Sequence, residues 1–449
     1  MKVCKFGGSS LADAKRISNV GQIIKADPSR RIVVVSAPGK RSPTDLKVTD
    51  LLTLCAEESI AGKDYTVTLS RIINRYKDIQ VGLGLESEIL HEIELNFSQR
   101  LQSDCSHQAR FLDLVKAGGE DNMAKLMAAY LRGQGINASY LNPCQAGLLL
   151  NNWHGKARVL DQSYDNLKKL AEKEYLIVFP GFFGCTPEGH VVTFPRGGSD
   201  ITGAVLAAAV GAEVYENFTD VDSVFVVNPN IIPHARTIPE LTFREMRELA
   251  YAGFEVLHDE AIVPVVKAGI PIHIKNSNKP DAAGTRVVPH RTDIPGRVVG
   301  IAGSRGFTTI FVRKFLMNRE IGFGRRLLQI LEEEGLSYEH TLSGIDDMSI
   351  IIRESQLTTE LEQRLLAKIQ ERLSVDEVFA KHGYAMIMLV GERLCETTGL
   401  LAKATRALQK ADVHVEMINQ GSSEVSMMFG VKEENRERSI QALYNIFFD

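Results

Sequence analysis

The chain has 449 residues, a hydrophobic share of 44% and a formal net charge of −4. That length suits roughly two to four domains, and the composition is that of a globular protein. Acids and bases are mixed throughout, so no basic stripe marks a nucleic-acid partner, and no apolar run reaches the ~18 residues a membrane span needs. Lys2 and Lys5 flank a strand rather than an apolar h-region, so no signal peptide is expected. Six cysteines (Cys4, Cys55, Cys105, Cys144, Cys185, Cys395) form no CxxC pair. That usage predicts a cytoplasmic protein with buried free thiols and no metal site.

Residues 3–6 read as a strand, 11–25 as a helix and 32–36, within "RIVVVS", as a buried parallel strand, together one βαβ unit. A mostly helical stretch covers 49–132. "LIVFPGFFG" (176–184) is strand-like, and "HVVTFPRGGSD" (190–200) is a strand leading into a glycine loop. Residues 201–211 are apolar almost all round and read as a buried helix. Residues 214–227 supply two short strands, and "IPIHIKN" (270–276) is the last strand of this part. The alternation predicts an α/β sandwich with helices on both faces. From Gly300 the chain repeats itself at an offset of 77: Gly322 falls on Gly399, Leu331 on Leu408, Glu339 on Glu416, Gly344 on Gly421 and Ser349 on Ser426. Each copy reads as a small α+β module, and two such modules pair their sheets.

Lys5, Gly7 and Gly8 in "VCKFGGSS" sit at the first strand-to-helix turn. Glycines let backbone N–H groups close on an anion, a helix N-terminus adds partial positive charge, and lysine supplies a mobile cation. "RGGSD" (196–200) opens the apolar helix. Arg196 offers a fork for a carboxylate, Ser199 a donor and Asp200 an anion for an ammonium, which suits a zwitterionic amino acid. Capping by Ser199 or Asp200 would explain neither the arginine nor the double glycine. Thr219 and Asp220 lie just past a strand end, where open α/β sheets bind ligands. Glu120 reads as an acid at a glycine-preceded helix start, which a helix dipole alone would favour. "SAPGKRS" (36–42) lacks the Gly and Ser/Thr positions of a Walker A loop, since Val34 and Arg41 stand there.

Together these segments resemble the aspartate kinase (aspartokinase) family. "KFGGSS" is similar to its opening motif, "VSAPGK" with "VTDLL" to its second substrate loop, and "GGEDN" (118–122) to its GE motif. "GFFGCTPEGHVVTFPRGGSD", "FTDVDSVFVVNP" and "IPIHIKNSNKP" resemble its later segments, and the repeated tail its paired ACT modules. The resemblance implies an amino-acid-kinase α/β/α sandwich over 1–295, followed by two α+β, ferredoxin-like ACT modules over 300–380 and 381–449. It implies transfer of the ATP γ-phosphoryl to the β-carboxylate of L-aspartate, giving 4-phospho-L-aspartate. That is the first step toward lysine, threonine, methionine and diaminopimelate. ATP would enter with Mg²⁺ as the substrate complex, with no tightly bound cofactor. Carried over by position, Lys5, Arg196 and Asp200 are catalytic. Ser36, Ala37, Thr49, Glu120, Arg196, Ser199 and Asp200 surround aspartate, and Lys5, Gly7, Gly8, Thr219, Asp220 and Phe225 hold the nucleotide. Lysine or threonine would bind the ACT modules, with Glu339 and Asp346 facing the effector ammonium. These modules would join chains into a homodimer or homotetramer.

The chain departs from the family pattern at several nucleotide positions. Phe225 replaces a tyrosine, Asn228 and Asn230 an acid and an arginine, Glu255 a lysine, and Met123 a serine; Lys275 is a candidate substitute cation. Two other readings stand beside this one: another amino-acid kinase, and a non-catalytic amino-acid sensor with a decayed kinase domain.

Overall fold

In a computed structural model, residues 1–254, 257, 259–291, 297–420 and 424–449 are described. They form two compact units. The first holds Met1–Val224, Thr237–Ala250 and the described residues from 257 to 291; the second holds Phe225–Arg236, Tyr251–Phe254 and the described residues from 297 on.

The first unit opens with β1 (Lys2–Phe6), α1 (Ala14–Ala26) and β2 (Arg30–Val35), the expected βαβ unit. The helical stretch resolves into α2 (Val48–Ile60), α3 (Thr66–Gly82), α4 (Ser87–Leu101) and α5 (Gln108–Gly133). Then come β3 (Ala138–Tyr140), α6 (Pro143–Ala146), α7 (Gln162–Lys168), β4 (Leu176–Pro180), β5 (Phe183–Cys185), β6 (Val191–Thr193) and α8 (Gly198–Val210). The unit is completed with β7 (Val214–Thr219), β8 (Val224–Phe225), β9 (Thr237–Ile238), β10 (Glu240–Thr242), α9 (Phe243–Tyr251), α10 (Asp259–Ala268), β11 (Ile272–Asn276) and β12 (Thr285–Val288), although Phe225 and Tyr251 group with the second unit. β12 follows the strand expected to be the last, and runs antiparallel to it.

The main sheet has the order β10-β12-β11-β7-β1-β2-β4-β3. β1 is the centre, paired in parallel with β2 on one side and β7 on the other. From β1 the chain crosses to β2; from β7 it crosses the opposite way, to β11. The gap between β1 and β7 is therefore a topological switch point, where open α/β sheets bind ligands. On one face Cys4, Phe6, Val33, Val35 and Phe218 join a core with α1 to α5. On the other, α8 packs on β1, β2 and β7.

β7 carries polar residues on both faces. On the α1 face Glu216 receives two hydrogen bonds from Arg30, Nε to Oε2 at 2.6 Å and Nη2 to Oε1 at 3.0 Å. Both residues are buried. Burial works against the Arg30 charge, but Glu216 outweighs it and holds the guanidinium above its usual pKa.

The thiol expectation needs correction. Cys4 and Cys55 are buried and free, but Cys105 and Cys395 are exposed, and Cys144 and Cys185 form a disulfide. The partners lie 41 residues apart, so no local spacing announces the pair; the fold brings α6 beside β5. Among the described residues no helix is long and apolar enough to cross a membrane.

The second unit contains β13 (Gly300–Arg313), α11 (Phe323–Glu333), β14 (His340–Ser343), β15 (Asp347–Arg353) and α12 (Thr359–Leu373). Then follow β16 (Glu377–Val390), α13 (Leu400–Lys410), β17 (Val415–Asn419), β18 (Ser426–Lys432) and α14 (Arg436–Phe447). The repeat is real in three dimensions: β13 and β16, α11 and α13, and α12 and α14 each begin 77 residues apart, while β15 and β18 begin 79 apart. The expected paired sheet is a single six-stranded one, β14-β15-β13-β16-β18-β17.

Across the expected module limits of 300–380 and 381–449, β13 divides between two sets of partners. Residues 307–313 of β13 pair with β15 and with the first half of β16. Residues 300–304 pair instead with 386–390, and Arg436 Nε of α14 donates to the Gly303 carbonyl at 3.0 Å. The second module thus begins at residue 300, and the first is inserted into it. A 14-residue strand is long enough to pair with different segments along its two halves.

Removing one partner of a buried ion pair strands the other, at a cost of about 3–5 kcal/mol, whereas replacing both by apolar residues is often neutral. Glu216→Ala should therefore destabilise the first unit by about that amount, and Arg30→Met with Glu216→Leu should recover most of it. Urea unfolding followed by the fluorescence of Trp153, the chain's one tryptophan, measures both.

Candidate active site

Lys5 lies on the face of β1 opposite Cys4 and Phe6, level with Asn217 of β7 and Val34 of β2. The residue is 8% exposed. Nζ pairs with Asp200 Oδ1 at 2.6 Å and donates to Asn217 Oδ1 at 3.4 Å. Gly7 follows, its N–H donating to the Phe218 carbonyl at 3.2 Å. A Cβ on Gly8 would stand 2.8 Å from the Ala37 carbonyl, and one on Gly39 would stand 2.5 Å from the Gly8 carbonyl carbon. The loops after β1 and β2 touch backbone to backbone, joined by the Gly39 N–H to the Gly8 carbonyl at 2.8 Å. The helix here is not the one expected. A 3-10 turn, Gly8–Leu11, follows the glycines, and α1 starts later with Asp13 as cap, accepting the Arg16 N–H at 2.9 Å. The dipole of the long helix is thus met by its own cap.

In "RGGSD", Gly197 takes φ 78° and is itself the cap of α8, a conformation glycine adopts without strain. Ser199 and Asp200 stand inside the first turn, so neither caps the helix by its side chain. A Cβ on Gly181, after β4, would meet Ser199 Oγ at 2.6 Å, so that loop lies directly on Ser199. Asp200 is fixed from two sides: Asn217 Nδ2 donates to Oδ1 at 3.0 Å, and the Tyr215 hydroxyl donates to its carbonyl at 3.2 Å. Burial, with Asp200 nearby, pushes the Tyr215 phenol well up. Arg196 is exposed and makes no hydrogen bond or ion pair with the described residues.

Glu120 is not at a helix start. It lies in the middle of the 26-residue α5, after Gly118 and Gly119 within the same helix. Helix interiors disfavour glycine, but a Cβ on Gly119 would stand 2.9 Å from Ala37 Cβ and 3.1 Å from Leu52 Cδ1. The glycine thus lets α5 approach the loop after β2. Glu120 is 5% exposed, and its Oε2 finds no hydrogen-bond donor among the described residues. Burial pushes its pKa up to about 7, partly offset by the Ala37 backbone N–H. In the same loop the Ser36 N–H donates to the Phe6 carbonyl at 3.2 Å, and the Val48 N–H to the Pro38 carbonyl at 3.1 Å, which sets Thr49 in the first turn of α2. Met123 is fully buried in the core beside α1 to α4.

Thr219 ends β7, and its hydroxyl donates to Asp220 Oδ1 at 3.2 Å. Phe225 belongs to the second unit, and so do Asn228 and Asn230. Asn228 Oδ1 accepts the Asn230 N–H at 2.9 Å, closing a local turn on an exposed loop. Lys275 is the next-to-last residue of β11, with Nζ 6.0 Å from the Phe218 ring centroid on the α1 face. Glu255 lies outside the described residues, as do residues 421–423 of "QGSSE".

In the second unit Glu339 already has partners: Arg353 Nε at 3.1 Å and the Tyr251 hydroxyl. Asp346 Oδ1 accepts the Leu316 N–H at 2.8 Å. Both acids hold the protein's own donors. Asn217 and Tyr215 escaped the sequence reading, although polar residues alternating along a strand buried on both faces were the available signal.

A mostly parallel sheet whose central strand carries a buried lysine next to its end, followed by paired glycines, with a glycine-capped helix packed on it, defines the amino acid kinase class. A profile of that family, "Amino acid kinase family", matches residues 1–276, and an ACT-domain profile matches 387–447. Aspartokinase 3 of Bacillus subtilis is 53% identical over 448 residues, covering 100% of this chain and 99% of that one. The crystal structure of Clostridium acetobutylicum aspartate kinase is similar with a TM-score of 0.85 at 35% identity, covering 100% of both chains. That of E. coli aspartokinase III with aspartate and ADP gives 0.82 at 25% identity, and the same enzyme with lysine and aspartate 0.78, again over 100% of both chains. The chain belongs to the aspartate kinase family.

The buried Glu120 makes stability depend on pH. A folded carboxyl titrating near 7, against the ordinary 4.5, keeps its proton where the unfolded chain has lost it. Stability therefore falls as pH rises through that window. Glu120→Gln, neutral throughout, should melt with wild type at pH 4 and higher than wild type at pH 8, by about 2–4 °C per kcal/mol relieved. Calorimetry of the ligand-free protein at both pH values checks this.

Proposed function

We propose that the chain transfers the ATP γ-phosphoryl to the β-carboxylate of L-aspartate, giving ADP and 4-phospho-L-aspartate, and so opens lysine, threonine, methionine and diaminopimelate synthesis. The observation that carries this reading is the buried Lys5–Asp200 pair at the switch point; the orphaned Glu120 oxygen and the unpaired Arg196 at the head of α8 support it. The fork of Arg196 takes the α-carboxylate. Glu120, ionised, takes the α-ammonium, and Ser199 with the first turn of α8 offers donors. Ser36, Ala37 and Thr49 form the facing wall. The β-carboxylate is ionised at pH 7, so attack on the γ-phosphorus needs no general base. Its oxygen forms the new P–O bond as the bond to the ADP oxygen breaks, and charge spreads over the transferred oxygens. Lys5 neutralises that charge, with the Gly7–Gly8 backbone beside it, while Thr219 and Asp220 serve the nucleotide. Mg²⁺ accompanies ATP as part of the substrate. Among the described residues no acid–histidine–cysteine cluster forms a resident metal site.

The ACT modules take a regulatory amino acid, lysine or threonine, and join chains into a homodimer or homotetramer in the cytoplasm. The lysine complex of E. coli aspartokinase III supports lysine as the effector. Exposed Phe315, Ile321 and Ile345 support pairing at that end of the first module. Glu339 and Asp346 would meet the effector ammonium only by giving up donors they now hold. A hydroxamate assay for the acyl phosphate, with aspartate as acceptor and with and without lysine or threonine, tests the activity and its control. Absence of aspartate-dependent hydroxamate would leave the sensor reading.

Lys5→Ala should lower kcat by about 10²–10³, the usual loss for one preorganised charge contact, with the fold intact by circular dichroism. Arg196→Lys keeps the charge but loses the two-pronged fork. It should raise KM for aspartate at least fivefold, an order-of-magnitude expectation for a lost charged hydrogen bond, and leave KM for ATP in place. Initial-rate kinetics in both substrates separates the two roles.

A further inference from the structure

We infer that Asn217 is a positioning residue for phosphoryl transfer, acting through Lys5 and Asp200. Asn217 is 1% exposed in an interior strand of the sheet. Its row across the sheet runs Val34, Lys5, Asn217, Ile274. The outer two are apolar, so the position has no general need for a polar side chain. The amide is read by its neighbours: its oxygen faces the Lys5 ammonium at 3.4 Å and its nitrogen faces Asp200 Oδ1 at 3.0 Å. With Lys5 Nζ at 2.6 Å from the same oxygen, the three side chains close a ring.

A carboxamide is suited to this place because it carries a donor and an acceptor and no net charge. A carboxylate there would put two anions beside one lysine and bind it away from phosphate. An alkyl group would leave Lys5 free to swing with Asp200 as its one anchor. The amide holds the ammonium at the switch point between β1 and β7 without competing for it. Misplacement of a catalytic group by about 1 Å can cost roughly 10² in rate.

The inference rests on the reading of Lys5 as the cation on the transferred phosphoryl, and a double-mutant cycle separates the two. Asn217→Ala should lower kcat by roughly 10²-fold and leave KM for aspartate within about threefold. In a Lys5→Ala background the same change should lower kcat by less than about twofold, because the group it positions is gone. Asn217→Asp, nearly isosteric, runs in the same cycle and guards against loss of fold, which melting curves monitor; it should also lose kcat. Losses that multiply in the double variant, or wild-type kcat in a folded Asn217→Asp protein, overturn the role of Asn217 while leaving Lys5 in place. Wild-type kcat in Lys5→Ala overturns both.

Discussion

Everything at the site depends on burying a lysine in the centre of a sheet. An ammonium taken from water must be met by fixed partners or it gives up its charge. Here those partners are Asp200 and Asn217 on one face, and the neighbouring strand positions carry a second buried pair, Arg30 with Glu216, on the other. β7 supplies one member to each face, Asn217 and Glu216. A one-residue slip of β7 would exchange the faces, leaving Glu216 and Lys5 without their partners. Register in the middle of the sheet is thus held by electrostatics as well as by Phe6 stacked on Phe218 at 4.7 Å. The same lock holds the cation beside the glycine loop, which is what a reaction that develops charge on phosphoryl oxygens requires.

The regulatory unit shows a different constraint. Each module by itself is a short sheet with exposed edges. The ladder between the long β13 and β16 joins the two into one sheet, so that the strands where they meet are not left as open edges. The pseudo-symmetry extends to side chains: Arg353 lies over Phe307 and Lys432 over Tyr384, each with the cation 4.2 Å from the ring centroid. Phe307 and Tyr384 are 77 residues apart. Conservation of such a contact between the copies follows from geometry, since both cations stand on the strand beside the aromatic one.

Much of this was legible in the chain because local chemistry announces itself. Apolar runs with β-branched residues marked β1, β2 and β4, the glycine loop before α8 was marked by its paired glycines, and the repeat stood out through Gly322 and Gly399, which are both left-handed helix caps. What stayed hidden was decided by distant neighbours. Gly118 and Gly119 look like a helix boundary, and only the close approach of Phe97 and Arg100 to the first and of Ala37 to the second explains why they sit in a helix interior. Asp13 as a cap moved the start of α1, because a side-chain acceptor outweighs the apolar period at Leu11. Asn217 reads as one polar residue in a strand until Lys5 and Asp200, 212 and 17 residues away, come to it. The Cys144–Cys185 pair and the insertion of one module into the other are likewise products of long-range folding.

The same logic bears on substrate choice. Glu120 is buried with one oxygen unmet, a costly arrangement that few folded proteins keep without reason. Its raised pKa is the sign of that cost. An incoming ammonium removes the penalty by donating to the orphaned oxygen and by drawing the carboxyl into its charged form. A ligand without the ammonium leaves the penalty in place. Discrimination by a site built to pair a polar group is far stronger than by one that fits shape, because the wrong ligand strands a buried partner. The exposed Arg196, by contrast, stands in water when empty and gives up little. Under the proposed function the two ends of the amino acid would therefore be read unequally: Arg196 would orient the carboxylate, while Glu120 would set the requirement that the acceptor be an amino acid at all.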